Sequence, residues 1–263
     1  MLLHCLSWIC RRPWRTGLTV CALVGITAAL FGTATPARRC PGETFVAPVA
    51  TTPAPLGPTA EIGLQEALDQ LGYTVNVPTS YDGRPLVLWN GYRTSTRSDA
   101  VDAARFVAGE EVTYRMLGQQ AMLADTTTFG FITTDCTGEV NVPLLRPAPG
   151  GDGFWLSREN GPALRRGMPG DDLHFFLHET TDALGRGVLS SRRSDNARDP
   201  GASHLIVLPA LSGGTWVDDG NRAGHWEGST RNEGYLLCWE DADFDTDYQD
   251  MIVLVQGVRP LPR

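Results

Sequence analysis

From Tyr73 to Val255 the chain is a succession of short runs, apolar or alternating, broken by Gly, Pro and Asp-Gly punctuation. The runs are Tyr73–Val77, Arg84–Trp89, Glu111–Leu117, Thr127–Thr133, Val140–Leu145, Phe154–Ser157, Leu173–His178, Gly187–Ser190, His204–Leu208, Tyr235–Trp239 and Met251–Val255. Alternation with period two places successive side chains on opposite faces of a strand, and turn residues between runs favour antiparallel neighbours. Helical spacing shows once, at Ile62, Leu64, Ala67, Leu68 and Leu71, where Gly72 supplies a stop after about ten residues. Ser98 to Arg105 is small and polar, a loop or a brief helix. The expectation is an all-β fold: an antiparallel β-sandwich of jelly-roll type with one short N-terminal helix. Too few helical patterns alternate with strands for a doubly wound α/β fold, and no internal repeat argues for a propeller or solenoid.

This pattern occupies residues 61–258, with a soft boundary at the turn-rich stretch 147–153. Before it, residues 38–60 are rich in Pro, Thr and Ala and read as an extended spacer. Residues 1–37 read as an export signal or an uncleaved N-terminal anchor. Arg11, Arg12 and Arg15 precede an uncharged stretch whose apolar heart runs from Leu18 to Phe31, and small-x-Ala sites end at Ala34 and Ala37. That heart is short for a spanning helix. The expected location is therefore extracellular or at the cell surface, with the membrane touched only through the N-terminal segment if it stays uncleaved. Cys40, Cys136 and Cys238 follow the leader. An oxidising compartment allows one disulfide among them; if one forms, Cys40–Cys136 is the expected pair, with Cys238 a buried mid-strand thiol. The formal net charge is −8 and every one of the 22 basic residues is Arg. An acidic balance of this kind argues against nucleic acid or an anionic membrane surface as partner.

Between the last two runs lies the densest chemistry in the chain. Glu240, Asp241, Asp243, Asp245, Asp247 and Asp250 put six carboxylates within eleven residues. Such charges repel one another unless water, backbone N–H groups or a cation compensates them. The spacing is not that of an EF-hand. Counted from Asp241, the sixth and twelfth residues are Thr246 and Ile252; counted from Asp243 they are Tyr248 and Leu254. Gly and Glu are needed there. A loop joining antiparallel strands can still gather several carboxylates and carbonyls around Ca²⁺, and the alternative is Asp side chains that cap loop N–H groups or stand in water.

The run Trp239-Glu-Asp … Asp245-Thr-Asp-Tyr-Gln-Asp-Met-Ile-Val resembles the signature of domain-of-unknown-function family 4114, an aromatic-Glu-Asp followed by D-x-D-[YF]-N-D and an apolar strand. Ser194-Asp-Asn … Ser203-His-Leu and, more softly, Gly63-Leu-Gln-Glu-Ala-Leu, Trp89 and Thr128-Phe-Gly-Phe-Ile are similar to upstream parts of the same family. The family's Gly-rich gap is replaced here by Ala242-Asp243-Phe244, and Gln249 stands where Asn is usual. The resemblance implies an exported bacterial surface or secreted protein without catalytic activity. It also implies a calcium ion at the acidic loop, with Asp245, Asp247 and Asp250 as the foremost ligands.

The other candidates are weaker. His174 and His178 form H-x-x-x-H, but the metalloprotease Glu after the first His is replaced by Phe175, and the segment reads as a strand. His225 lies in the Gly-bearing stretch Arg222–Gly228, read as a loop, where Trp226 beside Glu227 could stack on a sugar. No G-x-S-x-G elbow, P-loop or dinucleotide fingerprint occurs. The expected function is a non-catalytic binding or adhesion module whose partner is an extracellular protein or carbohydrate. Trp89, Trp155, Trp216 and Trp226 decide between these: coplanar exposed rings would make a carbohydrate-binding module. An extracellular hydrolase is the remaining alternative.

Overall fold

A computed structural model describes residues 61–87, 91–120, 127–134, 138–145, 154–159, 163–167, 172–179, 188–192, 196, 202–240 and 246–262. The expected leader and spacer, Cys40, Cys136 and Trp89 lie outside the described residues, as do Asp241, Asp243 and Asp245. Among the described residues no helix is long and apolar enough to cross a membrane.

Among the described residues there is one helix, α1, at Leu64–Gln70, shorter than its sequence pattern. Gly63 enters in an extended conformation, and Gly72 ends the helix at φ +79. There its N–H donates to Asp69 O at 3.0 Å and the next N–H, of Tyr73, donates to Leu68 O at 2.9 Å, satisfying carbonyls of the last turn. Short strands β1 (Ser80–Tyr81), β2 (Arg84–Pro85) and β3 (Thr94–Ser95) precede the long β4 (Ala103–Gln120). Then come β5 (Thr127–Thr134), β6 (Glu139–Leu145), β7 (Phe154–Leu156), β8 (Ala163–Gly167), β9 (Asp172–Glu179) and β10 (Val188–Ser190). The last five are β11 (Leu205–Ser212), β12 (Thr215–Gly220), β13 (Ala223–Glu227), β14 (Arg231–Trp239) and β15 (Met251–Pro262).

The fold is mostly β, with antiparallel sheets in a sandwich-like arrangement. The main sheet runs β11-β14-β15-β4-β9-β5-β6; β7 and β8 also pair with β4, and β10 pairs with β9. Strand β4 can serve so many partners because it is long and its pairing with β15 shifts register at several points. One shift falls at Gly257, whose φ is +77 and where a Cβ would strike Glu111 O, so only glycine fits that crossing. Strands from before and after residues 147–153 pair directly, β4 with β7, β8 and β15.

Alternation within β14 and β15 divides the core into two layers. Leu237, Trp239, Met251, Val253 and Val255 pack with Tyr114, Phe129, Phe131 and Phe175. Leu236, Cys238, Ile252 and Leu254 pack on the other face with Leu64, Leu68, Tyr73 and Val75. The central strands are therefore covered on both faces, and their sequences are apolar at every position instead of every second one. Cys238 is the buried mid-strand thiol expected of it, and burial raises its pKa.

Several expectations are corrected here. Tyr73–Val77 is extended but forms no ladder; Thr74 N–H reaches Leu211 O, and the polar side chain of Gln65 bridges it to the helix. Among the described residues of Arg84–Trp89, which end at Val87, strand β2 takes Arg84–Pro85. Ala103 to Arg105, read as part of a loop or helix, opens β4. The stretch holding His225 is strand β13, paired antiparallel to β12 and parallel to β3.

Gln65 tests how much that bridge contributes. It is 5% exposed; its Nε2 donates to Val75 O and to Asp69 Oδ1, and its Oε1 accepts from Val77 N–H at 3.0 Å. Gln65→Ala strands the buried Val77 donor, so urea unfolding is expected to show a loss of about 1–3 kcal/mol.

Candidate metal centre

Strands β14 and β15 form the closing hairpin expected from the sequence, with Trp239 opposite Met251. Glu240 leaves β14 at one side of its foot, and Asp247 and Asp250 approach β15 at the other. The strand ends bring one carboxylate oxygen from each of the three within 4.8 Å of one another. All three residues are buried, at 3%, 1% and 7% exposure.

The backbone explains the convergence. Glu240 Oε2 accepts hydrogen bonds from the N–H groups of Asp247 (3.0 Å) and Tyr248 (3.3 Å), which pulls the returning chain under the end of β14. Tyr248 adopts φ 57, a left-handed conformation that costs a bulky residue roughly 1–3 kcal/mol. It is held there from three sides. Its hydroxyl donates to Ser203 O at 2.8 Å, its ring meets Tyr81 edge-on at 6.0 Å, and its N–H reaches Glu240. Burial, with Glu240 close by, raises the pKa of the Tyr248 phenol, so the hydroxyl remains a donor. Asp250 O accepts from Gln120 N–H, and Gln249 Nε2 donates to Glu61 Oε1, tying the loop to β4 and to the stretch just before α1.

The group's dimensions suit a cation. Calcium–oxygen bonds of about 2.3–2.6 Å allow two ligand oxygens to lie up to about 5.2 Å apart across the ion. Three carboxylates supply a fraction of the six to eight oxygens calcium takes, with carbonyls and water able to supply the rest. Of the expected ligands, Asp247 and Asp250 come together as anticipated. Glu240, one of the six candidate carboxylates, both holds the loop through its N–H bonds and belongs to the group. Asp241, Asp243 and Asp245 lie outside the described residues. The charge density of the loop marked the region; nothing in the spacing marked Glu240, because its partners are seven and ten residues away across a loop.

The other candidates are placed as follows. His174 sits on β9, as expected of a strand, with Nδ1 3.0 Å from Ala104 O. It joins no metal-binding group among the described residues. Trp155 is buried in the core at 7% exposure. Trp216 and Trp226 face each other across β12 and β13 at an interplanar angle of 78°, so they form no coplanar platform. The Arg93 guanidinium lies over both rings, 4.1 and 4.8 Å from their centroids, and bonds to Asp69. Asp69 also accepts from Trp226 Nε1, so the cluster clips α1 to the β12–β13 hairpin. Gly224 makes the close packing possible, since a Cβ there would lie 2.7 Å from the Trp216 ring.

Comparison with protein-family models, with curated proteins and with solved structures finds no match.

Proposed function

We propose that this chain is an exported, non-catalytic binding or adhesion module whose closing hairpin is clamped by calcium at Glu240, Asp247 and Asp250. The convergence of three buried carboxylates on one point carries this reading, because such a group is costly to fold without a compensating cation. Calcium is favoured over zinc, since the donors are all hard oxygens with no His or Cys among them. The signal-like N-terminal segment supports export. Burial of the carboxylates supports a structural ion in preference to a catalytic one, for a substrate has little approach to them. A protein partner is favoured over a carbohydrate because Trp216 and Trp226 meet edge-on and Arg93 already covers them.

Thermal unfolding of the exported chain in calcium and in chelator tests this. Binding to the folded state alone stabilises by about 2.7 kcal/mol at a hundredfold excess over Kd. For a domain of this size that raises Tm by roughly 5–10 °C, increasing with calcium concentration. An unchanged Tm at millimolar calcium overturns the assignment.

A further inference from the structure

The three-carboxylate group has a support that lies outside the main sheet. Asp82 and Gly83, at φ 53 and 77, make the two-residue turn of the β1–β2 hairpin, where Tyr81 pairs with Arg84 and Ser80 with Pro85. A ladder of two residues per strand is too short to persist alone in water, so this hairpin owes its form to what it rests on. It rests on the stretch Thr246–Tyr248. Val87 N–H, just past the hairpin, donates to Thr246 O at 3.1 Å, and Thr246 Oγ1 donates to Pro85 O. Tyr81 meets the Tyr248 ring edge-on at 6.0 Å. Asp82 Oδ2 accepts from Ser203 N–H at 3.0 Å, and Ser203 O in turn accepts from the Tyr248 hydroxyl at 2.8 Å. Asp247 is the residue between Thr246 and Tyr248, so the chain is held immediately before it and immediately after it.

We infer that the segment Tyr81–Val87 is the positioning element of the calcium site: it fixes Thr246 and Tyr248, and through them sets the carboxylate of Asp247 within reach of the ion, with Tyr81 the side chain that contributes most directly. The inference rests on the calcium reading of Glu240, Asp247 and Asp250. Among the described residues no member of the segment joins the three-carboxylate group, so it acts on the ion through the loop.

Two influences oppose the closed loop before an ion binds. Repulsion among carboxylate oxygens within 4.8 Å of one another drives their chain segments apart, and the left-handed Tyr248 favours relaxation to an ordinary conformation. The N–H bonds to Glu240 resist both from within the acidic loop. The hairpin segment resists both from outside it, through contacts that involve no carboxylate of the group. The more of the closed geometry the segment secures in advance, the less of it calcium binding has to impose, so a weaker segment means a higher apparent Kd. The coupling is reciprocal, because an ion that holds Asp247 also holds the residues packed on either side of it.

Calorimetric titration with calcium of the full chain and of two Tyr81 variants tests this. Tyr81→Ala removes the ring edge that meets Tyr248 and is expected to weaken calcium binding by about two- to tenfold. Tyr81→Phe keeps the ring and should keep the wild-type affinity. A side chain that only packed would lower Tm alike in calcium and in chelator and would leave Kd unchanged. In the wild type, hydrogen-exchange protection of the Val87 amide should rise with calcium. It should rise more than that of Thr94, whose amide donates to Arg222 O beside the small sheet of β3, β12 and β13. An alanine variant with wild-type Kd overturns the inference and leaves the calcium assignment standing. Equal rises at Val87 and Thr94 overturn it too, which keeps the test decisive if the alanine variant does not fold. A wild type that binds no calcium overturns the assignment itself, and the inference with it.

Discussion

Glu240→Gln is expected to make the protein more stable than the wild type in chelator and less stable than it in calcium. Without a cation, Glu240 repels Asp247 and Asp250 at separations of at most 4.8 Å. At an effective dielectric of about 20 each such pair of full charges costs at least about 3 kcal/mol. Backbone N–H groups donating to Glu240 offset part of that cost, so the relief on neutralising Glu240 is smaller than the pair sum. Against it stands the weakening of two hydrogen bonds, from Asp247 and Tyr248 N–H, which an amide oxygen still accepts. A charged acceptor exceeds a neutral one by roughly 1 kcal/mol per bond. Repulsion is the larger quantity, and the ranking in chelator follows from it. With calcium present the same charge becomes attractive, and its loss should reduce the calcium-dependent rise in Tm to a small fraction. Glu240→Ala separates the two roles, because it also strands two buried N–H donors and should destabilise in both conditions. A glutamine variant that keeps the full calcium response would remove Glu240 from the metal group.

The sandwich was legible because its strands carry period-two patterns and turn residues, and because helical spacing occurs once. Burial of β11 and β15 on both faces was written in the unbroken runs Leu205-Ile-Val-Leu208 and Met251-Ile-Val-Leu-Val255, where a strand with one wet face would alternate. Strands β12 and β13 were hidden by their composition. Asp218, Asp219, Gly220, Asn221, Gly224 and Gly228 all read as loop, yet Asn221 and Arg222 take φ 53 and 62 in the turn that joins the strands. A two-residue turn of this hand is common in hairpins, and Asn followed by a long Arg is a weak sequence sign of it. Tyr73–Val77 failed in the opposite direction. Its alternation is genuine, but Thr74 and Asn76 are buried by side-chain partners at Ser229 and Asp99, so no neighbouring strand is needed. At the acidic loop, charge density alone located the region. Which oxygens converge depends on the left-handed turn at Tyr248, and a tyrosine gives no warning of a positive φ.

Phe129→Ala is expected to be the costliest of the core truncations outside the metal group, at about 3–5 kcal/mol. Phe129 is fully buried on β5, with its ring centroid 5.7 Å from Phe175, 6.3 Å from Tyr114 and 6.5 Å from Trp239. These neighbours stand on β9, β4 and β14, so a single ring touches strands from the adjacent β9 to β14, several places away in the sheet order. The cavity left by its removal cannot be closed by one strand moving inward, because each wall is pinned by its own ladder. Phe129→Leu keeps most of the volume and should recover about half of the loss. In urea, with a slope of about 2 kcal/mol per molar, the alanine variant moves the unfolding midpoint down by roughly 2 M. Trp216→Ala provides the contrast. Its ring is only partly buried and serves one cation–π contact and one edge-on aromatic contact, together worth about 1–2 kcal/mol. If the two substitutions proved equally costly, the aromatic layer around Phe129 would not be where this fold concentrates its stability. The cavity would also lie against Trp239, the residue before Glu240, so the alanine variant should bind calcium more weakly even where it remains folded, and the leucine variant should not.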